Sequence, residues 1–132
     1  GVEDAMSVRS HKDLVVWQKA MNLAEHVYAL VALFPPTEKY RMVDQLMRAV
    51  VSVPANIAEG HGRSTRKDYA QFVSIAIGSL AETETYLILC ERLRFVTAAQ
   101  LAPTMALVEE VGKMLKVLRV RLRGPVPLTP NT

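Results

Sequence analysis

The stretch from Thr65 to Phe95 constrains the fold more than any other part of the chain. At about 100° per residue, Tyr69, Phe72, Val73, Ala76, Leu80, Leu87 and Cys90 form one stripe. Ile75, Tyr86 and Leu93 flank it on one side, and Ile77, Ile88 and Phe95 on the other. A helix this apolar has to be covered from more than one direction. A third face is small and polar: Ser74, Gly78, Ala81 and Thr85, about 160° from the stripe. Glycine inside a helix costs roughly 1 kcal/mol relative to alanine, so Gly78 is expected to serve close packing. Ser74, Gly78, Ala81, Glu82 and Thr85 are therefore the expected contact between copies of the chain, the alternative being cover by loops or tails. Val51, Val117 and Val120 lie off the core stripes of their own helices and are expected to contribute.

Three other segments repeat the helical period. The first begins near Asp13, where Ser10 and Asp13 have capping-box spacing. It aligns Val16, Ala20, Leu23, Ala24, Val27, Val31 and Phe34 before Pro35 and Pro36 end it. Thr37 is the expected cap of the second, whose stripe is Val43, Leu46, Met47, Val50, Val53, Pro54 and Ile57. Because the phase runs on through Pro54, the helix is expected to bend there, at about 3 kcal/mol unless packing offsets it. Gly60 and Gly62 predict its stop. Ser64 or Thr65 opens the third segment, with Thr65 and Asp68 spaced as a cap. Thr97 and Gln100 form a capping box for the fourth, which starts between residues 98 and 103 depending on Pro103. Val108, Val111, Leu115, Leu118 and Leu122 are its core, and Gly124-Pro125 its stop. No strand pattern or repeat is present. Short loops make neighbouring helices antiparallel, so the expected fold is all-α, an antiparallel up-down-up-down four-helix bundle over residues 12–123. Residues 1–11 read as a flexible tail and 124–132 as a disordered proline-rich tail.

That topology sorts the charge. The 132 residues carry a formal net charge of +3. In an alternating bundle the chain start, the second corner and the chain end share one end. Arg9, Lys12, Arg63, Arg66, Lys67, Arg119, Arg121 and Arg123 gather there against Asp13, Glu59 and Asp68. At the other end Lys39, Arg41, Arg92 and Arg94 are nearly balanced by Glu38, Asp44 and Glu91. Lys113 and Lys116 extend the basic end along the fourth helix. Phosphate affinity grows with the number of cationic contacts, so Arg63, Arg66, Lys67, Lys116, Arg119, Arg121 and Arg123 are the expected RNA- or DNA-binding residues. The competing reading is solvated charge that favours helix C-termini.

Catalytic patterns are missing. No Glu precedes a His by three residues, and His11, His26 and His61 have no zinc-ligand spacing. No Walker, GxSxG or Rossmann pattern occurs, so no enzyme, cofactor or metal is expected. His61 reads as a loop histidine near Arg63. Cys90, the only cysteine, lies on a core stripe and reads as a buried thiol. Glu82 and Glu84 diverge by about 160° and cannot act as a pair. Glu82 either meets an arginine across a helix contact or faces solvent. Charges interrupt the apolar runs, so no membrane span is expected. A lone cysteine and no signal-peptide pattern fit the cytoplasm.

"DLVVWQKAMNLAEHVY" and "QLMRAVVSVPANIAEGHGRSTRKDYAQFVSIAIGSLAETETYL", with the basic helix that follows, resemble the bacterial four-helix-bundle family of 23S rRNA intervening-sequence proteins. The resemblance covers about residues 12 to 123. It is most specific from Gln45 to Leu87, and weakest near Pro103. It implies a small cytosolic protein, a ring-like homopentamer of bundles, and kinship with accessory proteins of diversity-generating retroelements that bind nucleic acid and a reverse transcriptase. It carries no catalytic residues. A protein partner without nucleic acid is the alternative expectation.

Overall fold

Two threonines start helices by taking up free amides. Thr65 Oγ1 accepts from the Asp68 amide at 3.1 Å. Thr97 Oγ1 accepts from the Gln100 amide at 3.1 Å, while Gln100 Oε1 accepts from the Thr97 amide at 2.9 Å. In the computed structural model, which describes residues 10–124, these caps open α3 (Arg66–Arg92) and α4 (Ala98–Leu122). Before them come α1 (Val15–Val31) and α2 (Asp44–His61). Residues 1–9 and 125–132 of the expected tails, including Arg9, lie outside the described residues. Ser10 and His11, expected in the tail, belong instead to a short 3-10 turn, His11–Asp13, where Ser10 Oγ accepts from the Lys12 amide. The His11 ring meets Trp17 edge-on at 5.1 Å.

Each helix packs against its two neighbours, in the closed order α1, α2, α3, α4, and the seam between α2 and α3 is the most extensive. The diagonal pairs make little contact. The arrangement is an all-α four-helix bundle with α3 covered on two flanks, as its apolar circumference requires. Leu23, Val27, Leu46, Val50, Val53, Ile57, Val73, Ala76, Leu87, Val111 and Leu115 are fully buried in the shared core. At 1.5 Å per residue, the 27 residues of α3 make a rod of about 40 Å. By length and composition α3 is apolar enough to cross a membrane. Two glutamates, Glu82 and Glu84, interrupt it, and a core helix carries the same signature.

Local departures from the sequence reading have identifiable causes. Helix α1 ends at Val31, ahead of the prolines, in a turn where the Leu33 and Phe34 amides bond to Leu30 and Val31 carbonyls. Pro36 needs no amide partner and starts a 3-10 turn, Pro36–Glu38, which takes Thr37 inside. A π-helical turn, Lys39–Val43, then leads into α2, so Thr37 does not cap that helix. Pro54 sits buried within α2, which continues past it. Gly60 does not stop α2 either; it is buried one residue before the end. A Cβ there would lie 2.9 Å from Phe72 Cβ and 3.0 Å from Tyr69 Cδ1, so glycine is needed for α2 and α3 to approach. Gly62 ends the helix with an ordinary right-handed φ of −79°.

Polar side chains stitch the same seam. Ser52 Oγ and Ser79 Oγ are 2.8 Å apart, and Asn56 Nδ2 donates to the Ser52 carbonyl and hydroxyl at 2.8 and 2.9 Å. Thr83 and Thr104 are buried among apolar neighbours. The Thr83 hydroxyl donates to the Ser79 carbonyl at 2.8 Å, which lets a polar residue occupy a core position.

Candidate nucleic-acid interface

The turn after α2 and the last turn of α4 meet at one end of the bundle, and arginines do the joining. Arg66 Nη2 donates at 2.9 Å to the Arg121 carbonyl, a last-turn carbonyl that also accepts from the Gly124 amide at 3.3 Å. About two turns along α3, Ser74 Oγ accepts from Arg119 Nη1 at 3.3 Å and from Arg123 Nη2 at 3.2 Å. Arg119 and Arg123 are four residues apart on one face of α4, so both reach the same serine. Arg63 donates to Glu59 Oε2 at 2.9 Å and lies 4.6 Å above the Phe72 ring. Lys67 and Arg121 are exposed at the same end.

The structure thus brings together six of the seven expected residues. Lys116 stands a turn away from Arg119 on the same side of α4. There it lines a groove of about 330 Å³ between α3 and α4, floored by Ile77, Ala81 and Gly112 and edged by Lys113. Lys113 is paired with Glu109 at 3.3 Å.

Pairing is mixed at the far end, where Arg92 and Arg94 form no ion pair among the described residues. There Arg41 meets Glu38 at 3.6 Å and Arg48 meets Asp44 at 3.3 Å. Among the described residues of the basic end, only Arg63 has a carboxylate partner. Among the described residues, Arg66, Lys67, Lys116, Arg119, Arg121 and Arg123 form no ion pair. The Nε of Arg66 is buried with no hydrogen-bond partner among them.

The expected self-contact face divides. Ser74 turns toward α4, and Ala81 borders the groove described above. Glu82 accepts from the Tyr86 hydroxyl at 3.2 Å and faces a second groove, beside Gln45 and Arg48 of α2. Desolvation first, and Glu82 second, raise the pKa of that phenol. Thr85 is exposed, its hydroxyl donating to the Ala81 carbonyl at 2.8 Å. A Cβ built on Gly78 meets nothing within 4 Å. Ile75, Leu89 and Leu93 share the outward side of α3 with it, 45%, 40% and 49% exposed.

Among the described residues, no cluster of three His, Cys, Asp or Glu side chains could hold a metal. Burial pushes the Cys90 thiol up to about 11, with the Glu38 carboxylate adding to it. His61, the last residue of α2, meets Tyr69 edge-on at 6.0 Å. The role of Ser74 escaped the sequence reading because a helical wheel shows which face a residue is on but not which neighbour covers it. The four-residue spacing of Arg119 and Arg123 was the available signal.

The sequence pattern of the 23S rRNA-intervening sequence proteins matches residues 12–117. The chain belongs to that family. A crystal structure of a protein of unknown function from the S23 ribosomal protein family of Bacteroides thetaiotaomicron VPI-5482 has a similar fold, with a TM-score of 0.73 and 26% identity. The similarity covers 79% of this intervening-sequence protein and 98% of that chain. No curated protein matches.

Proposed function

We propose that this intervening-sequence protein is a non-enzymatic cytoplasmic module that associates with copies of itself and binds RNA or DNA through phosphate contacts at the basic end. By family resemblance the assembly is a pentamer. The observation that carries the reading is the gathering of Arg66, Lys67, Arg119, Arg121 and Arg123 around one corner without carboxylate partners among the described residues. Exposed ion pairs contribute little to stability, but unpaired cations grouped on one surface attract a polyanion. Contacts to phosphate alone carry no base preference, so binding is steeply salt-dependent and weakly sequence-dependent.

A mobility-shift assay at low salt, with matched RNA and DNA of mixed sequence, tests this. The wild-type chain retards at least one of them, and the shift fades as salt rises. Reversing Arg119, Arg121 and Arg123 to glutamate abolishes it while helical circular dichroism persists. No shift at low salt, or an intact shift after reversal, sinks the reading.

The exposed row Ile75, Leu89 and Leu93 favours a second reading, an oligomeric scaffold for another protein with no nucleic acid bound. A partner that survives nuclease treatment in a pull-down, with no mobility shift, supports that reading.

A further inference from the structure

We infer that Ser74, Arg119 and Arg123 form a discrete site for one phosphate-type oxyanion. The inference rests on the reading above only for the identity of the polymer that carries the phosphate. A serine hydroxyl has two acceptor lone pairs and one proton. Here both guanidinium groups donate to the one oxygen, at 3.3 and 3.2 Å, which uses its acceptor capacity. The hydroxyl proton is then free to be donated to solvent or to a ligand. Thr83 and Thr85, on the same helix, turn their protons to the Ser79 and Ala81 carbonyls. Ser74 has no such acceptor among the described residues. It is an available donor held between two cations.

The arginines likewise have donors to spare. Each guanidinium offers five N–H donors, and one from each is taken by Ser74. Two positive groups close to one oxygen repel each other, and no carboxylate among the described residues pairs with either. A tetrahedral oxyanion satisfies all three groups at once. It accepts the serine proton, takes guanidinium N–H donors from both sides and cancels the repulsion. Ser74 and Arg119 are half-buried and Arg123 is exposed, so the site is open to an anion arriving from solvent. A phosphodiester in a nucleic-acid backbone and a free phosphate share this chemistry.

Inorganic phosphate is the first probe, titrated at low ionic strength into the full chain while the arginine Nε–Hε resonances are followed by NMR. Saturable shifts confined to Arg119 and Arg123 are expected. Ser74→Ala should weaken phosphate binding about tenfold. Arg119→Lys and Arg123→Lys, which keep the charge and lose the fork, should weaken it at least as much with the thermal melt unchanged. Phosphate that shifts all surface arginines alike, or binding unaffected by Ser74→Ala and both lysine variants, overturns the inference.

The second probe is an oligonucleotide whose affinity is measured against salt. Two arginines clamping one phosphate neutralise one phosphate. The double variant Arg119→Gln/Arg123→Gln should therefore reduce the log–log salt slope by about 0.7 to 0.9, one contact's worth. A reduction of about twice that means two independent arginines and overturns the shared site, leaving the nucleic-acid reading intact. Phosphate bound at Ser74 with no oligonucleotide bound supports the site with a free phosphate as its ligand, and ends the nucleic-acid reading.

Discussion

Tyr69 shows how a single atom sets a measurable property. Its ring is 1% exposed, packed beside Gly60 and His61, and its hydroxyl is buried without a partner among the described residues. A desolvated hydroxyl without a hydrogen bond costs about 1 to 3 kcal/mol. Tyr69→Phe is expected to raise stability by about 1 kcal/mol in urea unfolding. Burial also pushes this phenol up to about 12 from 10.0. Below pH 10 it is neutral in both states. Between about 10 and 12 only the unfolded chain ionises, so stability falls as pH rises through that window. The phenylalanine variant should show a shallower alkaline decline. A destabilised variant would mean that the hydroxyl is partnered after all, and an unchanged decline that the phenol does not titrate above its ordinary range. The sequence placed Tyr69 on the core stripe correctly. It could not show the orphaned hydroxyl, because satisfaction depends on atoms from other helices.

Helix ends were the most legible elements where a side chain makes the cap, and the least legible where backbone geometry does. Thr65 and Thr97 cap α3 and α4 at the residues their spacing indicated. The π-turn before α2 has no side-chain cap and left no pattern to read. The end of α3 was equally silent. Arg94 adopts a left-handed φ of 64°, its amide bonds to the Glu91 carbonyl, and the Phe95 amide bonds to the Cys90 carbonyl. This paired termination normally uses glycine at the left-handed position. A side chain there costs about 1 to 2 kcal/mol. Arg94→Gly is expected to stabilise the protein by up to about 1 kcal/mol, after the entropy glycine adds to the unfolded chain. Calorimetry checks it through a higher Tm; a lower Tm would show that the arginine side chain contributes more than its backbone costs.

At the scale of the whole molecule, alternating topology was legible from short loops, and it correctly put the second corner beside the chain end. Which faces pair across the seams was not, since four wheels leave their relative rotation open. The outward side of α3 therefore stays the place to test association. Gly78→Arg puts a charge where a Cβ meets nothing, so the single chain should fold unchanged. Light scattering of the wild type is expected to give a multiple of the chain mass, and the variant a smaller one. A single-chain mass for the wild type removes the assembly from the proposal. Antiparallel helices have one further effect. Their backbone dipoles largely cancel, so the polarity of the rod comes from its side chains, and one tip is cationic while the other is close to neutral. Under the proposed function, a rod of that kind would approach a negatively charged strand tip first and leave its flanks clear, so that neighbouring copies could stand shoulder to shoulder along it like pickets on a rail.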